Sequence, residues 1–156
     1  RYIPDHDMFV AVGNNSVREK LQENLEQMGA SIATLVHPQA VLGSQVDVGA
    51  GTVIMAGTVI NGSTVLQRGV IINTGATVDH DNVIEDYVHL SPGVHTAGSV
   101  TIGKRTWIGI GGTVSNNIRI TADCVIGAGC VVIRDIHESG KYVGVPARKI
   151  SVGKDE

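Results

Sequence analysis

The sequence predicts a mainly β protein: a parallel β-helix of triangular coils, preceded by a partial small α/β domain of nucleotide-binding type. Three observations predict it. First, an aliphatic residue recurs every six positions from Leu42 to Val132: Leu42, Val48, Ile54, Ile60, Leu66, Ile72, Val78, Ile84, Leu90, Ile102, Ile108, Val114, Ile120, Ile126 and Val132. Thr96 is the one polar member of the series, and the phase never slips. Second, the residue two before each of these is mostly small or β-branched, as at Val46, Thr52, Thr58, Thr64, Val70, Ala76, Val88, Val94, Val100 and Thr106. Third, the segment before the repeat alternates strand-like and helix-like patterns.

In chain order, "MFVAVGNN" reads as a buried strand ending in a turn. Ser16 with Glu19 matches a capping box. Val17, Leu21, Leu25 and Met28 then share one helical face, and Gly29 is a C-terminal stop. "SIATLVHP" reads as a second strand. This β-turn-α-β piece is half of a nucleotide-binding-like unit and is taken as residues 1–38. "VGNN" is not a GxGxxG fingerprint. A six-residue period fits neither a helix nor a simple strand. It suits a short strand plus a corner, with two inward residues per hexad and glycines such as Gly43, Gly49, Gly103, Gly109 and Gly127 easing the turns. Three faces close an 18-residue coil, and residues 18 apart stack at roughly 4.8 Å. The coils are expected over 39–136, and the Pro/Gly-punctuated tail, 137–156, is expected to cover the last one.

Composition narrows the function classes. Aromatics make up 3% of the chain, so the core is aliphatic. The formal charge is −3 with no lysine/arginine cluster, which argues against nucleic acid. No apolar run approaches the roughly 18 residues of a membrane span, and no signal peptide is present. Two cysteines make no disulfide framework and fit a reducing compartment, the cytoplasm. The chain opens on Arg1, not Met, which suggests a fragment of a longer protein.

Three of the six histidines fall in "TVDHDNVIEDYVHLSPGVHTAGS". His80 lies just past Val78, at an outward corner between Asp79 and Asp81. It is either a solvated polar corner or a general base, oriented and made more basic by a neighbouring carboxylate. Gly98 lies 18 residues on and is expected to stack above it with its N–H open to a ligand. His89 is outward on another face, with Trp107 one coil above. Trp107 is either interface packing or part of a ligand groove. His95 precedes Thr96 and is either a second active-site group or a surface histidine. Cys124 and Cys130 fall at small inward positions and read as core thiols. The spacings between His80, His89 and His95 are nine and six, which suits no stacked metal site, so no metal is expected.

The hexad pattern from Leu42 to about Arg134 resembles the hexapeptide-repeat acyltransferases, which implies a left-handed coil and a homotrimer of parallel prisms. "FVAVGNNSVREKL", "INTGATVDHDNVIEDYVHLSPGVHTAGSVTIGKRTWIGIG" and "YVGVPARKI" together resemble one subgroup: bacterial UDP-4-amino-sugar N-acetyltransferases of UDP-di-N-acetylbacillosamine biosynthesis, and the related sialic acid O-acetyltransferases. The resemblance implies acetyl-CoA as co-substrate, His80 as the base, Asp81 as the acid that tunes it, and the Gly98 amide as oxyanion donor. It places His89, Ile110 and Ala128 along acetyl-CoA. A UDP-linked 4-amino sugar is expected at Val12, Gly13 and Asn14, the carboxyl end of the first strand, since ligands bind there in such folds. The subgroup's first strand, glycine turn and next helix are missing from this chain. Amine and hydroxyl acceptors are not separated by the residues. The alternative of another class is a non-catalytic trimeric scaffold.

Overall fold

A computed structural model describes residues 5–151; the first four residues, including Arg1, and residues 152–156 of the tail lie outside the described residues. Strand β1 (Asp7–Met8) pairs in parallel with β2 (Ser31–Ile32), and helix α1 (Asn15–Gln27) connects them. From Leu35–Val36 onward the chain winds as short parallel strands in three sheets. The first face carries six strands, from Val41–Leu42 through Thr77–Val78 and His95–Thr96 to Val131–Val132. The second carries five, from Asp47–Val48 through Val83–Ile84 to Arg119–Ile120. The third runs from Leu35–Val36 through His89–Leu90 and Trp107–Ile108 to Cys124–Ile126. The tail strand Gly140–Val143 adds to that third face in parallel, and Arg148–Ile150 folds back antiparallel to it.

The stacking offset is 18 residues, as in Thr77 opposite His95 and His89 opposite Trp107. The six-residue series is the core: Ile54, Ile60, Ile72, Ile84, Leu90, Ile102 and Ile108 are fully buried. The buried threonines at the second inward position form a repeated device. Thr52 Oγ1 donates to Gln67 O and accepts from Val70 N–H, at 2.8 and 3.0 Å. Thr58, Thr64 and Thr106 likewise donate to the carbonyls of Asn73, Asp79 and Thr121. The β-branched hydroxyl thus fills the corner and satisfies backbone groups that would otherwise be buried unpaired.

The glycines divide into two roles, only one of which is turning. Every sixth residue from Gln45 to Gly129 has positive φ, whether glycine, as at Gly51 and Gly57, or not, as at Asp81 and Ser99. The glycines directly after the aliphatic residues serve close packing instead. A Cβ on Gly49 would lie 2.6 Å from the Gln67 carbonyl carbon of the next coil, and one on Gly103 2.4 Å from Ala122 N.

Helix α1 departs from its sequence pattern. Its cap is Asn14, whose Oδ1 accepts from Val17 N–H at 3.0 Å, and not Ser16. Val17, Leu21 and Met28 are exposed, and the buried residues are Arg18 and Gln22. The helix lies along the corner between the second and third faces, where successive coils present backbone carbonyls. Asn15 Nδ2 donates to Arg105 O, Arg18 to Tyr87 O and Gly69 O, and Gln22 to Ala50 O. Glu19 pairs with Lys104 and Arg105, and Glu26 with Arg68. Donors on the helix meet acceptors on the coils, so the polar stripe faces inward. Gly29, at φ 80°, ends the helix as its sequence predicts.

Candidate active site

The Thr77–Val78 strand ends at a corner where Asp81 takes φ 57°. That left-handed turn brings its carboxylate back to the preceding side chain, and His80 Nδ1 lies 2.6 Å from Asp81 Oδ2. Asp79 Oδ1 accepts from the His80 N–H at 2.9 Å and from Asn61 Nδ2 at 2.7 Å. The Asp81 hydrogen bond holds the His80 pKa above its usual 6.5. The bond from Asn61, then that from the His80 amide, lowers the Asp79 pKa. With Nδ1 occupied, the Nε2 edge is turned to the coil above. A Cβ on Gly98 would lie 2.7 Å from Nε2 and 2.6 Å from Cε1. Gly98 is therefore buried against the imidazole of the coil below. The flanking backbone bonds run from Ser99 N–H to His80 O and from Asn117 N–H to Gly98 O. Among the described residues the Gly98 N–H has no protein partner. His80, Asp81 and Gly98 are brought together.

A second constellation lies on the third face. The rings of His89 and Trp107 stack 6.1 Å apart at 19°. Trp107 Nε1 donates to Ser91 Oγ at 2.8 Å, and Asn73 Nδ2 lies 3.3 Å from His89 Nε2. Burial, then the Arg18 charge, pulls the His89 pKa down to about 4, against a hydrogen bond to the Gly13 backbone. Arg18 Nη1 donates to Val12 O and Gly13 O, both at 3.1 Å. Gly13, Asn14, His89, Arg105 and Trp107 line one groove of about 560 Å³; Val12 lines the adjoining one with Asn73 and His89. Ile110 and Ala128 stack at the next corner in an apolar groove of about 260 Å³ that shares Trp107. The Val12–Asn14 loop, His89, Ile110 and Ala128 thus form one continuous surface.

The two constellations are apart within one chain. His80 sits at the corner between the first and second faces, and His89 on the third face, across the triangular section. His95 is exposed on the first face, 2.8 Å from Thr77 Oγ1. Cys124 and Cys130 are buried free thiols whose pKa values burial raises. Among the described residues no group of three or more His, Cys, Asp or Glu is placed to hold a metal ion. Nor is any helix among them long and apolar enough to cross a membrane. Sequence reading missed Arg18 and Asn82. Asn82 was legible in principle, as the one amide in the inward series between Thr64 and Val100.

No protein-family model matches the sequence. The fold nevertheless has solved counterparts. The acetyltransferase domain of PglB from Neisseria gonorrhoeae FA1090 is 38% identical with a TM-score of 0.91, over 92% of this chain and 70% of that one. PerB from Caulobacter crescentus, solved in complex with CoA and GDP-perosamine, is 40% identical with a TM-score of 0.90, over 92% and 69%. GDP-perosamine N-acetyltransferase of Escherichia coli O157:H7 is 30% identical over 77% of this chain, and the match spans 54% of that relative's length. With its hexad core, its left-handed parallel β-helix and a match to these structures over 92% of its own length, the chain belongs to the hexapeptide-repeat sugar acetyltransferase family.

Proposed function

We propose that the chain is an acetyl-CoA-dependent N-acetyltransferase acting on the amino group of a nucleotide-linked amino sugar. The observation that carries this is the His80 imidazole, tied through Nδ1 to Asp81 at 2.6 Å, with its Nε2 edge against Gly98 of the next coil. The sugar amine attacks the thioester carbonyl, and its proton passes to His80 Nε2 as the C–N bond forms. The Gly98 N–H stabilises the oxyanion of the tetrahedral intermediate. Collapse breaks the C–S bond, and the proton on His80 passes to the departing thiolate. Cys124 and Cys130 are buried and do not serve as acyl carriers, and the acetyl group passes directly from the thioester to the amine.

The separation of His80 from His89 supports a homotrimer. A corner of one copy then meets the third face of the next, and acetyl-CoA lies in that seam along His89, Ile110 and Ala128. The acceptor's nucleotide lies at Val12, Gly13 and Asn14. Resemblance in the sequence favours a UDP-linked 4-amino sugar, while two of the relatives act on or bind GDP-perosamine. Such a reaction belongs where acetyl-CoA is supplied, in the cytoplasm.

The test is thiol release from acetyl-CoA with UDP-4-amino-sugar, GDP-perosamine and sialate as acceptors, for the native protein and His80→Ala. We expect turnover with a nucleotide amino sugar, lost in His80→Ala at unchanged melting temperature. Turnover with sialate alone would favour O-acetylation. Equal rates in the variant would remove His80 as the base.

A further inference from the structure

We propose that Asn82 is a positioning residue that aims the Gly98 amide and ties it to the turn carrying His80; this rests on the roles given above to His80 and Gly98. Asn82 is fully buried, at an inward position filled by Thr64 one coil below and Val100 one coil above. Its Nδ2 lies 2.9 Å from Ala97 O, 2.8 Å from Asp79 O and 3.0 Å from His80 O. Ala97 O belongs to the same peptide unit as the Gly98 N–H. In a trans peptide the carbonyl and the N–H point in opposite directions. Anchoring Ala97 O inward on Asn82 therefore turns the Gly98 N–H outward, to the side where the imidazole lies. Accepting a hydrogen bond also polarises the peptide and makes its N–H a stronger donor.

The threonine device elsewhere in the coils supplies the first of these bonds alone. Thr64 Oγ1 donates to Asp79 O, 15 residues on, just as Asn82 donates to Ala97 O. An amide carries two hydrogens and a longer reach. It adds the carbonyls of Asp79 and His80, so one side chain holds the turns of the base and of the oxyanion donor in register. The exchange has a structural cost, because Asn82 Oδ1 is buried with no hydrogen-bond partner. A stability-driven sequence would place Thr or Val here, as the neighbouring coils do.

The experiment compares Asn82→Val, Asn82→Thr and His80→Ala with the native protein. It reads kcat and KM for acetyl-CoA and for whichever nucleotide sugar of the panel turns over, the melting temperature, and the amide proton shift of Gly98 in ¹⁵N-labelled protein. Asn82→Val should lower kcat by about 10- to 100-fold at unchanged KM. Its melting temperature should be equal or higher, and the Gly98 amide proton should move upfield. Asn82→Thr, which keeps the bond to Ala97 O, should recover most of the rate and of the shift. The proposal is overturned if Asn82→Val keeps native kcat and an unmoved Gly98 resonance while His80→Ala is inactive. Should His80→Ala remain active, the reading of the site fails instead, and the Gly98 shift alone decides whether Asn82 holds that peptide.

Discussion

At the scale of single residues, the proposed chemistry rests on His80 and its immediate neighbours. Asp81 raises the pKa of His80 above 6.5, and a general base acts in its neutral form. The rate should therefore climb as pH rises through that elevated value and level off in mildly alkaline solution. Asp81→Asn removes the carboxylate charge beside Nδ1 and leaves only a neutral amide acceptor there. The climb should then move to lower pH with a reduced plateau, and a pH–rate profile checks both effects. A profile for Asp81→Asn superimposable on the native one would contradict the pairing. Gly98→Ala places a methyl within 2.7 Å of Nε2, so the ring must swing away, and activity should fall about 100-fold with little change in folding. That His80, Asp81 and Gly98 lie side by side was legible in the sequence, because an 18-residue offset fixes which turns stack. Asn82 was not read, because inward positions were expected to be small or β-branched.

Helix α1 was legible as an element and its orientation was not. Its apolar stripe of Val17, Leu21 and Met28 obeys the helical period, yet it faces outward. The partner surface is a corner that offers carbonyl oxygens, so the donors of Arg18 and Gln22 outcompete hydrophobic contact there. Arg18 makes five hydrogen bonds in place of an ion pair, to Gly69, Val12, Gly13, Asn15 and Tyr87, and burial lowers its pKa to about 10. Arg18→Met should cost about 2–4 kcal/mol of unfolding free energy, because buried carbonyls are left unpaired. Val17→Ser should change it by under about 0.5 kcal/mol. Chemical denaturation measures both. The same docking half-buries His89. An unfolded histidine takes up its proton near pH 6.5, and folded His89 only near 4. The unfolded state thus binds more protons between these values, and stability must fall as pH drops from 6.5 to 4. The loss attributable to this group is about 3 kcal/mol, to be read as the difference between native protein and His89→Gln across that window. A constant difference would place the ring in solvent.

For the whole molecule, the coil was the most legible feature. An unbroken six-residue beat determines the strands, their faces and the 18-residue register, and the strand pairs from Leu35–Val36 to Val131–Val132 follow it, while the tail strand pairs at an offset of 16. The role of the corner glycines was only partly legible, since half-turns tolerate Asp81 or Ser99 at positive φ, and close approach between coils explains the rest. Assembly is where one chain's pattern ends. A single prism holds the imidazole and the surface proposed for acetyl-CoA on different sides, so the central claim is that copies meet to join them. A crystal structure of the protein with coenzyme A tests this most directly. The account predicts the cofactor in a seam between two copies, its sulfur within reach of His80 Nε2 and the Gly98 amide of one and its arm along Ile110 and Ala128 of the other. Coenzyme A bound wholly within one chain, with its thiol far from His80, would contradict it.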